Sequence, residues 1–214
     1  ILKYGVPISA QELLTGVSFM VILAILNSFG LVASAGVGVA EKLCGLIFIV
    51  PGAIMSAVSV FSAQNVGAGK RDRAKKSMLV GMTISVSIGA CMFYATSFHG
   101  TAISHLFAND IEVCRASADY LRSYSIDCIL VGISFCMMGY LNGNGETLFV
   151  AIQGILCTFL VRIPVSYFMS RIPGVTLFQI GFATPLATVF GIILTGIYLK
   201  HYEKKIKNCA DEIK

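Results

Sequence analysis

The residues best placed to do chemistry are three ionisable side chains set in apolar surroundings: Asp127 in YSIDCILVGISF, Glu12 in PISAQELL and Arg162 in FLVRIPVSYF. Inside a bilayer such a group costs about 2.5 to 3.5 kcal/mol at a helix centre, so each marks a functional site by default. Asp127 follows Tyr124 by three positions, which puts both side chains on one helical face. A carboxylate in that setting can bind a proton or Na⁺. Two structural roles suit it as well: solvation near the outer headgroups, or pairing with Arg122 or Arg162. Glu12 lies about a turn inside the first apolar run, where it is either a second coupling carboxylate or compensation for the helix dipole after Pro7. Arg162 either binds an anionic substrate or braces the bundle, through a carboxylate or through carbonyls that Pro164 frees.

Uncharged polar residues recur in the same runs. Gln11, Ser18, Asn27, Ser134 and Gln153 either line a cavity or hydrogen-bond between helices, and their spacing fits both. The three histidines, His99, His105 and His201, share no ligand spacing, so no metal and no bound cofactor is expected. The seven cysteines show no paired short spacing and read as small hydrophobes.

The elements that must hold these groups are membrane helices. The 214 residues are 56% hydrophobic and 13% charged, with a mean hydropathy of +0.81, which is outside the range of a soluble domain. The net charge of +5 sits beside apolar segments and not on a continuous polar face, which argues against nucleic acid as a partner. Six segments reach the roughly 20 apolar residues that cross a bilayer: 6–30, 33–66, 74–98, 114–141, 147–169 and 178–199. The second and fourth exceed one crossing, and the excess can be taken up by tilt, by a kink at Pro51 in the second, or by ends that protrude into the headgroups. The expectation is an all-α membrane protein, a single six-helix lobe over 1–214 whose partner is the lipid bilayer.

Topology follows from the block AQNVGAGKRDRAKK, Ala63 to Lys76. Lys70, Arg71, Arg73, Lys75 and Lys76 place this loop in the cytoplasm by the positive-inside rule. Six crossings then put Lys3 and the tail 200–214 on the same side, with both termini of this segment cytoplasmic. The opposite side receives Glu41, Lys42, Arg115, Arg122 and Arg171 among fewer, largely balanced charges. Gly67 and Gly69 suit a helix ending near Asn65 and another starting near Asp72. The block is not a phosphate-binding loop: Gln64 stands where its first glycine should be, and Arg71 where its Ser or Thr should be. GNGET, from Gly143, is a helix-to-helix turn with no strand before it. Neither loop supports an ATPase, and no enzyme is expected.

GVPISAQELL, then a long helix ending in AQNVGAGKRDRAKK, then YLNGNGETLF and FLVRIPVSYF, together resemble the multidrug and toxic compound extrusion (MATE) transporters. The most specific pieces are Gln64, Asn65, Gly67, Ala68 and Gly69 with the basic run that includes Arg73, and the Asn142-Gly143 and Arg162-Ile163-Pro164 blocks. More narrowly, the chain is similar to the carboxy-terminal six-helix half of a bacterial member, near the branch named for a DNA-damage-inducible membrane protein. The resemblance implies a plasma-membrane exporter of two six-helix lobes facing a central cavity, exchanging amphipathic organic cations for Na⁺ or H⁺ by alternating access. It also implies a missing amino-terminal lobe. The start at Ile1 fits a piece of something larger. In another branch the family carries glutamates where this chain has Thr15 and its neighbours, and Asp127 falls in the helix where the family can place an acidic coupling residue.

Two other readings stay open. A lipid-linked oligosaccharide flippase of the same superfamily should carry several basic residues in its cavity, and here only Arg162 is offered. A non-transporting six-helix subunit would need a native chain no longer than this one.

Overall fold

The computed structural model describes the backbone of residues 2–212 and all its side chains except those of 2–8, 10–12, 207 and 209–212. The described residues are helical, in the order α1 Leu2–Asn27, α2 Leu31–Ile47, α3 Ile49–Gly67, α4 Arg71–Ser104, α5 Ile111–Gly143, α6 Thr147–Leu156, a π-helical turn Cys157–Arg162, α7 Ile163–Ser170, α8 Leu177–Gly181 and α9 Ala183–Glu212. By length and composition, five stretches suffice to cross a membrane: Leu31–Gly67, Arg71–Ser104, Ile111–Gly143, Thr147–Ser170 and Leu177–Ile206. Within α1 the described apolar stretch is Leu13–Asn27.

Proline chemistry explains two of the interruptions. The α2/α3 break falls at Phe48, not at Pro51 itself. Pro51 has no N–H to offer the Ile47 carbonyl and its ring crowds that carbonyl, so the ladder fails one turn upstream. Pro164 acts in the same way on the next-to-last crossing. It follows directly on the π turn, in which the chain carries one residue more per turn than an α-helix would. α4 has a milder kink at His99, whose φ of −119° and ψ of 19° leave the helical region.

The turns obey their local residues. At the end of α3 the Gly69 amide bonds to the Val66 carbonyl and Lys70 to that of Asn65, a closure that needs the left-handed Gly69, φ +72°. Gly145 at φ +87° does the same for the turn between α5 and α6. Asp110 caps α5 by accepting from the Glu112 amide at 2.8 Å.

α5 is the central helix, packed by α2, α3, α4, α8 and α9. Close approach depends on glycines. Gly139 lies against the Met55 backbone of α3, Gly89 of α4 against the Cys128 carbonyl, and Gly36 of α2 against Ala116. Two apolar clusters result. One joins Ile22, Val37, Leu43, Tyr120, Leu121 and Ile180, and the other joins Val58, Met78, Cys136, Leu141, Val150 and Leu199.

Candidate functional site

Asp127 is midway along α5, about 24 Å from either end at 1.5 Å per residue. That depth lies well inside a hydrocarbon core about 30 Å thick. It is 1% exposed, so the alternative of solvation near the headgroups does not hold. Arg122 is exposed and is therefore no structural partner for it either. Tyr120 and Tyr124 precede Asp127 on the same helical stripe, both buried, their rings 5.2 Å apart.

Arg162 approaches this stripe from the π turn. Its Nη2 donates to the Tyr124 hydroxyl at 2.9 Å, and the Thr184 hydroxyl of α9 donates to the same oxygen at 3.0 Å. The guanidinium also lies over the Phe19 ring of α1, 3.9 Å from its centroid, a cation–π contact that suits a desolvated Arg. One phenol thus ties α5, the π turn and α9 together. The expectation that Arg162 bonds carbonyls freed by Pro164 is corrected: the extra residue of the π turn aims the side chain inward, to Tyr124 and Phe19.

The charges do not balance. Asp127 Oδ1 is buried and accepts no hydrogen bond, and its polar neighbours are Thr188 and Arg162. Glu41 of α2 is near enough to feel the Arg162 charge, and its Oε1 is likewise buried without a partner. Arg162 Nε is also buried without a partner. With both carboxylates ionised, the single guanidinium would face two negative charges. Buried charge without compensation is costly, so neutralising one of the two carboxylates would relieve that cost.

From the sequence Glu41 falls among the charges on the side opposite the basic loop, but the structure brings it to Arg162. It stands ten residues into α2, on the face of buried Val37 and Cys44, while neighbouring Lys42 is exposed. The i, i+4 and i, i+3 spacing of Val37, Glu41 and Cys44 was the available signal.

Beside the charged cluster is a cavity of about 140 Å³, lined by Thr15, Ser134, Gln153, Arg162, Thr184 and Thr188 among others. It has room for about four or five waters at roughly 30 Å³ each. Pockets for drug-sized ligands run from about 300 to 1,000 Å³. The cavity therefore suits a small ion with some hydration.

The family model described as MatE matches residues 7–168, which carry α1 to α7, Asp127 and Arg162 included. The chain belongs to this family. A MATE-type likeness extends to curated relatives: "Probable multidrug resistance protein YoeA" of Bacillus subtilis is 23% identical over 205 residues, which is 96% of this chain and 44% of that protein. The "FAD transporter" of Shewanella oneidensis is 24% identical over 169 residues, 79% of this chain and 37% of the relative. A solved MOP superfamily transporter from Pyrococcus furiosus shares the fold at a TM-score of 0.84 and 14% identity, covering 92% of this chain and 44% of that one. This MATE chain spans about half the length, or less, of the relatives it matches.

The remaining expected site residues divide. Thr15, Ser134 and Gln153 join Arg162 at the small cavity, and Gln153 keeps a buried Oε1 without a partner. Ser18 is fully buried, but its hydroxyl bonds the Thr15 carbonyl at 2.7 Å, which makes it a helix-internal contact. Asn27 is exposed at the end of α1, where it accepts from Ser34 of α2 and so braces a turn away from the cavity. The side chains of Gln11 and Glu12 lie outside the described residues. In the loop motif Gln64, Gly67, Ala68, Gly69 and Arg73 are exposed, and Asn65 bonds the Phe61 carbonyl at 2.7 Å.

Proposed function

We propose that this MATE chain is the carboxy-terminal lobe of an exporter that exchanges amphipathic organic cations for H⁺ or Na⁺ by alternating access. The observation that carries the reading is a pair of buried carboxylates, Asp127 and Glu41, each with an unpartnered oxygen, near the single guanidinium of Arg162. A cation drives a conformational cycle only if it binds the two states differently. Asp127 would supply such a difference, because neutralising it changes the field at Arg162, whose hydrogen bond goes to Tyr124 of the same helix as Asp127. Asp127 and Tyr124 stand on α5 and Glu41 on α2, so a change there would bear on how these helices pack.

Cargo binds elsewhere on this reading. The cavity of about 140 Å³ is too small for a drug-sized molecule, so the substrate would lie against the face that meets an amino-terminal lobe. The basic loop Lys70–Lys76 supports a plasma-membrane orientation with both ends of the segment in the cytoplasm.

The test is dye efflux by the full-length protein in drug-sensitive cells, comparing Asp127→Asn with wild type under Na⁺ and proton gradients. Loss of gradient-driven efflux in the variant supports the coupling role, and unchanged efflux removes Asp127 from the mechanism. If the wild type moves no cationic dye, the organic-cation assignment falls and the lipid-linked flippase reading takes its place.

A further inference from the structure

A groove between α3 and α4 is built with a polar head and an apolar body. Its volume is about 440 Å³. At one end are Asn65, Arg73 and Lys76, and towards the other are Ala57, Val80 and Ile84. From Asn65 back to Ile54 on α3, and from Arg73 on to Ile84 on α4, the groove runs along twelve residues of each helix, about 16 Å from first to last. One leaflet of a bilayer with a core of roughly 30 Å offers about 15 Å of hydrocarbon, so polar head and apolar body fall at the depths of a lipid's own.

Among the described residues, Arg73 and Lys76 at the head have no ion-pair partner. Lys75, between them in sequence, is tied to Glu203 of α9 at 2.7 Å, which is the one ion pair among the described residues. That pairing leaves Arg73 and Lys76 exposed at the groove with no ion-pair partner, Asp72 included. Both stand in the first two turns of α4, where the helix dipole adds to their positive potential. The base of the groove is closed by the contact of Gly81 with Val58, where even an added Cβ would come within 2.6 Å of the valine methyl.

We propose that this groove is a binding site for one anionic glycerophospholipid, its phosphate held by Arg73 and Lys76 and one acyl chain laid along Ala57, Val80 and Ile84. Basic pockets between membrane helices recognise anionic headgroups in this way. The site does not depend on what the protein transports.

The experiment is native mass spectrometry of the delipidated full-length protein titrated with dioleoyl phosphatidylglycerol or dioleoyl phosphatidylcholine. The phosphatidylglycerol is expected to be retained in preference, one molecule per protein. At about 1 kcal/mol per basic residue near the surface, Arg73→Gln with Lys76→Gln should weaken it about 30-fold. Ala57→Phe, which fills the apolar body, should weaken both lipids. The charge-conserving pair Arg73→Lys with Lys76→Arg should keep the preference, and so controls for misfolding of the neutral pair. Three outcomes overturn the proposal: retention that survives the neutral pair, an equal loss from Lys204→Gln with Lys205→Gln in the tail, or displacement of the lipid by inorganic phosphate at similar concentration.

Discussion

Arg162 donates to the Tyr124 hydroxyl at 2.9 Å while its own Nε bonds nothing, so the buried guanidinium of this bundle is anchored by a neutral phenol and faced, unpaired, by two carboxylates. The phenol is the hub, because Thr184 donates to the same oxygen at 3.0 Å. Tyr124→Phe strands both donors in an apolar setting, and leaving a buried polar group unpaired costs about 1 to 3 kcal/mol, more for a charged one. Thr184→Val removes only one of the two donors. Thermal melting in detergent should therefore show a larger fall for Tyr124→Phe than for Thr184→Val, and the reverse order would show that Tyr124 does not hold the three elements together.

The two carboxylates share one cation, which makes them coupled in a measurable way. Glu41→Gln leaves Arg162 facing Asp127, and Asp127→Asn leaves it facing Glu41. The double variant leaves it with neither, a buried charge without any counter-charge. A double-mutant cycle on stability should give a destabilising interaction of about 0.5 to 3 kcal/mol. Additivity within about 0.5 kcal/mol would mean that Glu41 and Asp127 do not act on the same guanidinium.

Much of this architecture is legible in the residues alone, and where it is not the reason is local. Apolar runs and basic flanks locate the helices because lipid tolerates little else, and Gly69 and Gly145 mark their turns by a backbone angle that side chains resist. Asp127 stands out because a lone carboxylate in YSIDCILVGISF has no solvated excuse. Glu41 does not, because the adjacent Lys42 makes the pair look like a solvated edge, and only the burial of Val37 and Cys44 separates the two faces. The π turn escapes detection altogether. Pro164 announces a disturbance, but an α kink and a π turn satisfy a missing N–H equally well, and the choice between them depends on Tyr124 and Phe19 in other helices.

Pro164→Ala tests what that turn contributes. Restoring an N–H at position 164 allows an ordinary α bond to the Leu160 carbonyl and removes the reason for the extra residue. Closing the turn shifts Arg162 by one position, a rotation of about 100° around the helix axis. Melting temperature should hold or rise, because an interior proline no longer interrupts the helix, while dye efflux by the full-length protein should fall. Efflux at the wild-type level would mean that the π turn is not what aims Arg162.

Three glycines separate helix packing from helix propensity at the same chemical change. Gly38 of α2 has nothing within 4 Å of where a Cβ would stand, so Gly38→Ala meets no obstacle and should stabilise by about 0.5 to 1 kcal/mol. At Gly81 the added methyl comes 2.6 Å from a Val58 methyl, a side-chain atom that can give only against the stiff χ1 of a β-branched residue in a helix, so the cost is intermediate. At Gly89 it meets the Cys128 carbonyl, and backbone inside a helix cannot rotate away. Gly89→Ala must therefore push α4 off α5, which overpacking data put at about 1 to 3 kcal/mol. The expected order of melting temperatures is Gly38→Ala above wild type, then Gly81→Ala, then Gly89→Ala. Because Cys128 directly follows Asp127, the displacement at Gly89 also moves the carboxylate, so this variant should lose more efflux than Gly81→Ala at matched stability. Equal efflux from the two would show that the position of Asp127 along α5 is not set by the contact with α4.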